Sequence, residues 1–152
     1  VHPFGNEMCV VEATGQQILD ALEMGARNAP GECGGFLQVS GLTYEIHTGV
    51  ASSAEKDENG MFTRVSGEYR VKNVMVGGQP LELDKTYTLA SHNYMLLGHG
   101  DGYTMFDGCE VLGEDMMVDN QVLITYITTT LGGVVGEQYA NPYGDGRIVA
   151  VE

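Results

Sequence analysis

The side chains of this 152-residue chain that could do chemistry are few and widely spaced. Its four histidines stand at positions 2, 47, 92 and 99, without H-x-H or H-E-x-x-H spacing. A hydrolytic metal centre needs three or more ligands, commonly histidine and carboxylate, held in fixed geometry. His92, His99 and Asp101 come nearest to such a set, and we assign no metal ligand in this chain.

The sequence supports neither nucleophilic catalysis nor a phosphate cradle. Ser40 lacks the G-x-S-x-G pattern that exposes a nucleophilic serine, and Cys9 and Cys109 lie on apolar segments. The chain also has no G-x-x-x-x-G-K-[ST] loop. We therefore expect no catalytic residue in this chain.

Composition excludes further classes. Seven basic against twenty-one acidic residues give a net charge of −14, which disfavours binding to nucleic acid or an anionic membrane. No apolar run approaches the ~20 residues of a transmembrane helix. Three cysteines without C-x-x-C spacing argue against structural zinc. They leave open one disulfide plus a free thiol, or three reduced thiols.

A binding site is the remaining interpretation. Phe36 and Tyr94 each stand at a glycine-flanked junction, and Asp101 lies inside a loop with a glycine at every second position. The ordinary alternatives are a core phenylalanine and a plain turn. Flat rings can also stack on a nucleobase, and a carboxylate can accept hydrogen bonds from sugar hydroxyls. Spacing alone does not show that these groups converge.

The elements that would position them indicate an α+β fold. A capping box at 14–17 and apolar spacing after it predict a helix over about 15–27. A second helix is predicted over about 119–131, capped by Asp119, although its threonines make a strand the competing interpretation. Strands are predicted at 7–13, 36–39, 42–47, 68–76 with a turn at 77–78, 86–90 and 147–151, and a solvated loop at 49–60. Few helices and many short strands predict mixed β-sheets with two main helices.

Several short motifs occur in a characteristic order. They are Pro3-Phe4-Gly5-Asn6, Thr14-Gly15 with Leu19 and Leu22-Glu23, Gly35-Phe36-Leu37-Gln38-Val39-Ser40-Gly41, Tyr87 to Tyr94, Gly100-Asp101-Gly102-Tyr103 with Phe106, and Gly146-Arg147-Ile148. Together they span nearly the whole chain. In this order they resemble the C-terminal domain of the 5'-nucleotidase / UDP-sugar hydrolase / 2',3'-cyclic-nucleotide phosphodiesterase family.

The resemblance implies a single domain over residues 1–152, truncated at its N-terminal edge, where the family's N-G-G-G-x-R strand would stand. It also implies a secreted nucleotide hydrolase, located outside the cell, in the periplasm or at the cell surface. A preceding metallophosphoesterase domain, outside this chain, would carry a divalent metal pair and the catalytic residues. This chain alone would be inactive, with the nucleotide or nucleoside substrate and that domain as its partners.

The resemblance also implies the site residues. Phe36 and Tyr94 would stack the base and Asp101 would bind the ribose, while Gln38 and Asn93 line the same region by position. The chain departs from the family pattern by one additional residue between Tyr94 and Asp101. The alternative is a non-catalytic interaction or structural module of a bacterial surface protein that keeps the fold without a ligand.

Overall fold

The computed structural model describes residues 2–142 and 144–152. Within these residues the chain forms three α-helices and nine β-strands. They are β1 (Met8–Thr14), α1 (Gly15–Gly25), β2 (Leu42–His47), β3 (Ala54–Lys56), β4 (Phe62–Val65), β5 (Val71–Val76), β6 (Gln79–Pro80), β7 (Thr86–His92), α2 (Asn93–Leu96), β8 (Glu110–Gly113), α3 (Asp119–Thr125) and β9 (Ile148–Val151). Short 3₁₀ turns cover 100–102, 104–106 and 137–139.

The strands form a three-stranded sheet, a four-stranded sheet and a two-stranded antiparallel pair. In the first sheet β1 lies between β7 and β8 and is antiparallel to both. The second sheet has the order β6-β5-β2-β9, in which β9 runs parallel to β2 and forms an edge. Strands β3 and β4 pair with each other. This arrangement confirms the predicted α+β class.

Helix α1 connects these three β-structures, since it contacts β1, β3, β4 and β5. Its start is the predicted capping box: the Gln17 N–H donates to Thr14 Oγ1 at 3.2 Å, and the Thr14 N–H donates to Gln17 Oε1 at 2.8 Å. Its apolar face buries Ile18, Ala21 and Leu22 in the core. The helix ends at Gly25, two residues before the predicted end.

A buried carboxylate fixes the last turn of α1 to the second sheet. Glu23 is fully buried and accepts hydrogen bonds from the N–H groups of Arg70 at 2.9 Å and Val71 at 3.0 Å. The Ser53 hydroxyl donates to its other oxygen at 3.1 Å. The buried Arg70 guanidinium donates to the Ala26 carbonyl at 3.1 Å, at the C-terminal end of the helix. The Glu23 carboxylate and the Arg70 side chain therefore both connect the C-terminal end of α1 to the start of β5.

Two predicted elements near the centre of the chain are wrong. Residues 36–39 form no strand, because the segment turns at a Phe36 N–H to Cys33 carbonyl bond of 3.0 Å, and the Val39 carbonyl accepts from Arg147 Nη1 at 2.5 Å. The segment 49–60 is more than a solvated loop, since it contains β3. Glu55 of β3 accepts from Arg64 Nε of β4 at 2.7 Å. Arg147 lies 108 residues from Val39 and Arg64 lies 9 residues from Glu55, so both partners fall outside the segments from which the predictions were made.

The second predicted helix is confirmed and begins at the predicted position, but it has a different capping residue and a wider pitch in its second half. Val118 occupies the cap position, and the Asp119 carboxylate instead accepts from the Asn120 N–H at 2.7 Å. After Thr125 the chain continues through wider π-helical turns over 126–130. The Thr128 hydroxyl donates to the Ile124 carbonyl at 2.8 Å and so competes with the regular backbone ladder.

All three cysteines are free thiols: Cys9 is buried and Cys33 and Cys109 are partly buried. Burial raises the pKa of the Cys9 and Cys109 thiols, which keeps both protonated at neutral pH. Over residues 2–142 and 144–152, none of the helices combines the length and apolar character needed to cross a bilayer.

Candidate functional site

The junction between β7 and α2 places Tyr94 at the surface. The His92 Nδ1 accepts from the Met95 N–H at 3.3 Å and caps the short helix. The Asn93 side-chain oxygen accepts from the N–H groups of Glu7 at 3.1 Å and Tyr94 at 2.9 Å. These bonds attach the start of α2 to the chain entering β1. Tyr94 is left 48% exposed, with its ring centroid 6.0 Å from that of His92.

The loop that carries Asp101 is built from left-handed backbone conformations. His99, Asp101 and Gly102 have φ values of 55°, 54° and 86°. Aspartate tolerates this region better than most residues, and glycine has no penalty there. A contact at hydrogen-bond distance between His99 Nε2 and the Asp107 carboxylate joins the start of the loop to the turn after it. The loop is therefore held from both sides while the Asp101 side chain stays exposed.

The segment 34–36 packs directly on this loop. The buried Tyr103 hydroxyl donates a hydrogen bond to the Gly35 carbonyl. Burial raises the pKa of Tyr103, so this hydroxyl remains a donor at neutral pH. A Cβ at Gly35 would lie 3.0 Å from the Asp101 Cβ, a contact that only glycine avoids. Phe36 follows immediately, half-buried at the margin of the core.

Two adjoining cavities flank Asp101. The smaller has a volume of about 80 Å³ and is bounded by Phe36 and Tyr103, and the larger, of about 500 Å³, is bounded by Phe4, Asn6 and Tyr94. Gly34, His92 and Asp101 line both. The structure thus brings Phe36, Tyr94 and Asp101 to one region. Phe36 lines the smaller cavity and Tyr94 the larger.

Gln38 and Asn93 are placed differently from those three residues. Gln38 is exposed and lines a separate cavity of about 350 Å³ together with Arg147, and it lines neither Asp101 cavity. Asn93 adjoins the site, but its side-chain oxygen is engaged in the bonds that connect α2 to β1. Phe36 borders both Asp101's smaller cavity and the cavity of Gln38.

Sequence reasoning overlooked Phe4 and His92 as site residues. Phe4 is 84% exposed and His92 lines both Asp101 cavities. Phe4 stands in one of the motifs that carry the family resemblance, but nothing in the neighbouring sequence indicates that it lines the same cavity as Tyr94. His92 directly precedes the predicted site residues Asn93 and Tyr94, which is the one signal that could have found it.

Gly100 supports Tyr94 by lacking a side chain. A Cβ at Gly100 would lie 2.2 Å from Tyr94 Cε1, so the Gly100→Ala variant must displace the ring. We expect a loss of about 1–3 kcal/mol in the free energy of unfolding by urea, together with changed NMR shifts of the Tyr94 ring. The matched control is Gly49→Ala, because a Cβ at Gly49 meets no atom within 4 Å and should change stability by less than about 0.5 kcal/mol. Equal stabilities of the two variants would contradict this packing.

The site offers flat rings and hydrogen-bonding groups around an exposed carboxylate. Among residues 2–142 and 144–152, no group of three or more His, Cys, Asp or Glu side chains is placed to hold a metal ion. These features suit recognition of a ligand that has a flat apolar part and a hydroxylated part. They make this region the candidate ligand-binding site of the chain.

Comparison with known proteins identifies the family. Residues 1–108 match the model of the "5'-nucleotidase, C-terminal domain" family, and the chain therefore belongs to this family. The Trifunctional nucleotide phosphoesterase protein YfkN of Bacillus subtilis is 32% identical over 151 residues, covering 99% of this chain and 9% of that protein. The Cell wall protein Lmo0130 of Listeria monocytogenes is 31% identical, covering 84% of this chain and 14% of that protein.

The fold also matches a solved structure of a 5'-nucleotidase precursor. The crystal structure of a 5'-nucleotidase precursor from Thermus thermophilus superposes with a TM-score of 0.74 and 29% identity, covering 98% of this chain and 26% of that chain. This likeness confirms the predicted family and fold class. The chain spans less than a fifth of the length of both curated relatives described above.

Proposed function

We propose that this chain is the nucleoside-recognition domain of a metal-dependent nucleotide hydrolase. In this proposal Tyr94 and Phe36 contact the base, and Asp101 accepts hydrogen bonds from the ribose hydroxyls. The observation that carries it is the position of Asp101, which lines both the cavity bounded by Phe36 and the cavity bounded by Tyr94. Membership of the 5'-nucleotidase C-terminal family supports the choice of a nucleotide as the substrate class.

The proposal assigns substrate recognition to this chain and hydrolysis to a separate domain. The described residues supply stacking faces and acceptors, and we assign hydrolysis to a metallophosphoesterase domain that carries a divalent metal pair outside this chain. Contacts to the base would orient the substrate so that its phosphate reaches that centre. Binding energy from a non-reacting part of the substrate then lowers the barrier as well as the dissociation constant. The proposed location is outside the cytoplasm or at the cell surface, by analogy with the relative named a cell wall protein.

The role of Asp101 is tested by pairing one variant with two ligands. Asp101→Asn keeps a residue that tolerates the left-handed backbone but removes the charge. We expect it to weaken adenosine binding about tenfold, because hydrogen bonds to a charged group contribute about 1.5–3 kcal/mol. Binding of 2',3'-dideoxyadenosine, which lacks the 2'- and 3'-hydroxyls, should change less than about twofold. Isothermal titration calorimetry or NMR titration measures both.

Controls make the result specific. Asp84→Asn alters an exposed carboxylate in the turn before β7 and should leave both ligands unaffected. If wild-type protein binds no adenosine at concentrations up to about 10 mM, the nucleoside site is disproved. If Asp101→Asn weakens both ligands equally, Asp101 does not read the ribose.

A second candidate function is a non-catalytic interaction module of a surface protein. The similarity to the Cell wall protein Lmo0130 favours it, together with a group of exposed apolar side chains at 123–139 that includes Val134 and Val135. The full-length sequence separates the two candidates. Upstream D-x-H, G-N-H-[DE] and G-H-x-H motifs would supply the ligands of a metal pair and support the hydrolase, and their absence would support the module.

A further inference from the structure

Arg147 belongs to the Gly146-Arg147-Ile148 motif, to which the proposed function assigns no role. It stands directly before β9, and its carbonyl accepts from the Tyr44 N–H of β2 at 2.9 Å. This bond fixes the backbone of Arg147 to the second sheet. The side chain is 45% exposed, so filling the core does not account for an arginine at this position.

The Arg147 guanidinium donates hydrogen bonds in two directions. Its Nε donates to Asp145 Oδ1 at 2.8 Å, and its Nη1 donates to the Val39 carbonyl at 2.5 Å. The bonds from Arg147 hold the pKa of Asp145 below its usual range, so this carboxylate stays charged at neutral pH. Because the guanidinium is a rigid planar fork, the bond to Asp145 also orients the group that reaches Val39.

Residues 36–39 lie outside the helices and strands and are held by individual contacts instead. Before Phe36, the Gly35 carbonyl accepts from the buried Tyr103 hydroxyl. After Phe36, the Val39 carbonyl accepts from Arg147. Phe36 therefore lies between two side-chain hydrogen bonds to the backbone. Loss of the second bond frees the chain on the C-terminal side of Phe36 to move relative to the smaller Asp101 cavity.

Arg147 itself borders a different cavity, of about 350 Å³, together with Phe36 and Gln38. Phe36 also borders the smaller Asp101 cavity, whereas Arg147 lines neither cavity beside Asp101. An effect of Arg147 on a ligand held next to Asp101 must therefore be transmitted through residues 36–39.

We infer that Arg147 is a positioning residue, which fixes Phe36 at the wall of the smaller Asp101 cavity by holding the Val39 carbonyl. The inference rests on the proposed nucleoside-binding function and assigns a role to the Gly146-Arg147-Ile148 motif. It connects the edge of the second sheet to a binding residue more than a hundred positions earlier in the chain.

The test compares two arginines in the full-length protein, with AMP and adenosine as the probes. Arg147→Met keeps an apolar stem and removes the donors, whereas Arg147→Lys keeps the charge and one donor group. We expect Arg147→Met to lower kcat/KM for AMP and to weaken adenosine binding, each five- to tenfold. Arg147→Lys should stay within about threefold of wild type, because its ammonium can still donate to the Val39 carbonyl.

Arg64→Met is the matched control. Arg64 Nε likewise donates to an exposed carboxylate, that of Glu55 at 2.7 Å, and Arg64 lines none of the three cavities. Its removal should change kcat/KM and adenosine binding by less than twofold. Losses of equal size for Arg147→Met and Arg64→Met would overturn the inference, since the bond to Val39 would then make no difference.

A double-mutant comparison separates positioning from general stabilisation, because residues that act through one another are not additive. If Arg147 acts through Phe36, then Arg147→Met should change kcat/KM for AMP by less than twofold when it is added to Phe36→Ala. A five- to tenfold loss in both backgrounds would overturn the inference, since Arg147 would then act independently of the ring.

Failure of the inference and failure of the proposed function give different results. Unchanged kcat/KM for Arg147→Met, with a loss for Phe36→Ala, overturns the role of Arg147 and leaves the nucleoside site intact. A wild-type protein that neither hydrolyses AMP nor binds adenosine overturns both the role of Arg147 and the proposed function.

Discussion

Under the proposed function, Phe36→Ala is expected to lower kcat/KM for AMP by one to two orders of magnitude in the full-length protein. A base–ring stacking contact contributes about 1–3 kcal/mol, and each factor of ten in rate corresponds to about 1.4 kcal/mol. Because the base is remote from the phosphate, part of the loss should appear in kcat as well as in KM. Steady-state kinetics with AMP as the substrate measures both parameters.

Phe36 also packs against the core, so Phe36→Ala removes core packing as well as the ring. A second variant is needed to separate the two effects. Phe36→Leu preserves much of the apolar volume and removes the ring. If stacking is the cause, Phe36→Leu lowers kcat/KM nearly as far as Phe36→Ala while its urea midpoint stays closer to wild type. A change in kcat/KM of less than twofold for Phe36→Ala would remove Phe36 from the site.

Glu23→Ala is expected to destabilise the domain by about 3–5 kcal/mol. The substitution leaves the N–H groups of Arg70 and Val71 and the Ser53 hydroxyl without their acceptor. Each buried donor left without an acceptor costs about 1–3 kcal/mol because it stays desolvated, so the loss of one acceptor shared by three donors reaches the expected range. Equilibrium unfolding in urea measures the free energy of unfolding.

Glu58→Ala is the matched control for that measurement. Glu58 is an exposed carboxylate in the turn between β3 and β4, and its removal should change the free energy of unfolding by less than about 0.5 kcal/mol. Glu23→Gln should be intermediate, since an amide oxygen can replace one acceptor but its NH₂ group faces donors. A loss of under about 1 kcal/mol for Glu23→Ala would mean that water enters and satisfies these groups.

Local signals predicted the fold best where the determining contacts are close in sequence. The capping box at Thr14 and Gln17 fixed the start of α1, and the glycine pair at 77–78 fixed the hairpin of β5 and β6. The segment 36–39 looks like a strand locally, but the Arg147 guanidinium takes the Val39 carbonyl from more than a hundred residues away. No short window of sequence contains that partner.

The candidate site, like the fold, depends partly on local sequence and partly on long-range contacts. Residue types and family order pointed to Phe36, Tyr94 and Asp101, and the fold brings all three to adjoining cavities. Their detailed roles depend on tertiary distances, such as the approach of Gly35 to Asp101. Phe4 was not assigned to the site from the sequence because its neighbourhood indicates only a turn, and its position at the same cavity as Tyr94 depends on the pairing of β1 with β7.

The buried Tyr103 belongs to the hydrophobic core and also forms a wall of the smaller Asp101 cavity. Any compound that settles against this wall must bind the folded domain in preference to the denatured chain. Ligand binding therefore raises the free energy of unfolding. At a ligand concentration one hundred times Kd, the increase is about 2.7 kcal/mol. A simple thermal-shift screen of a compound library would consequently report which chemotypes the domain accepts, without any assay of hydrolysis.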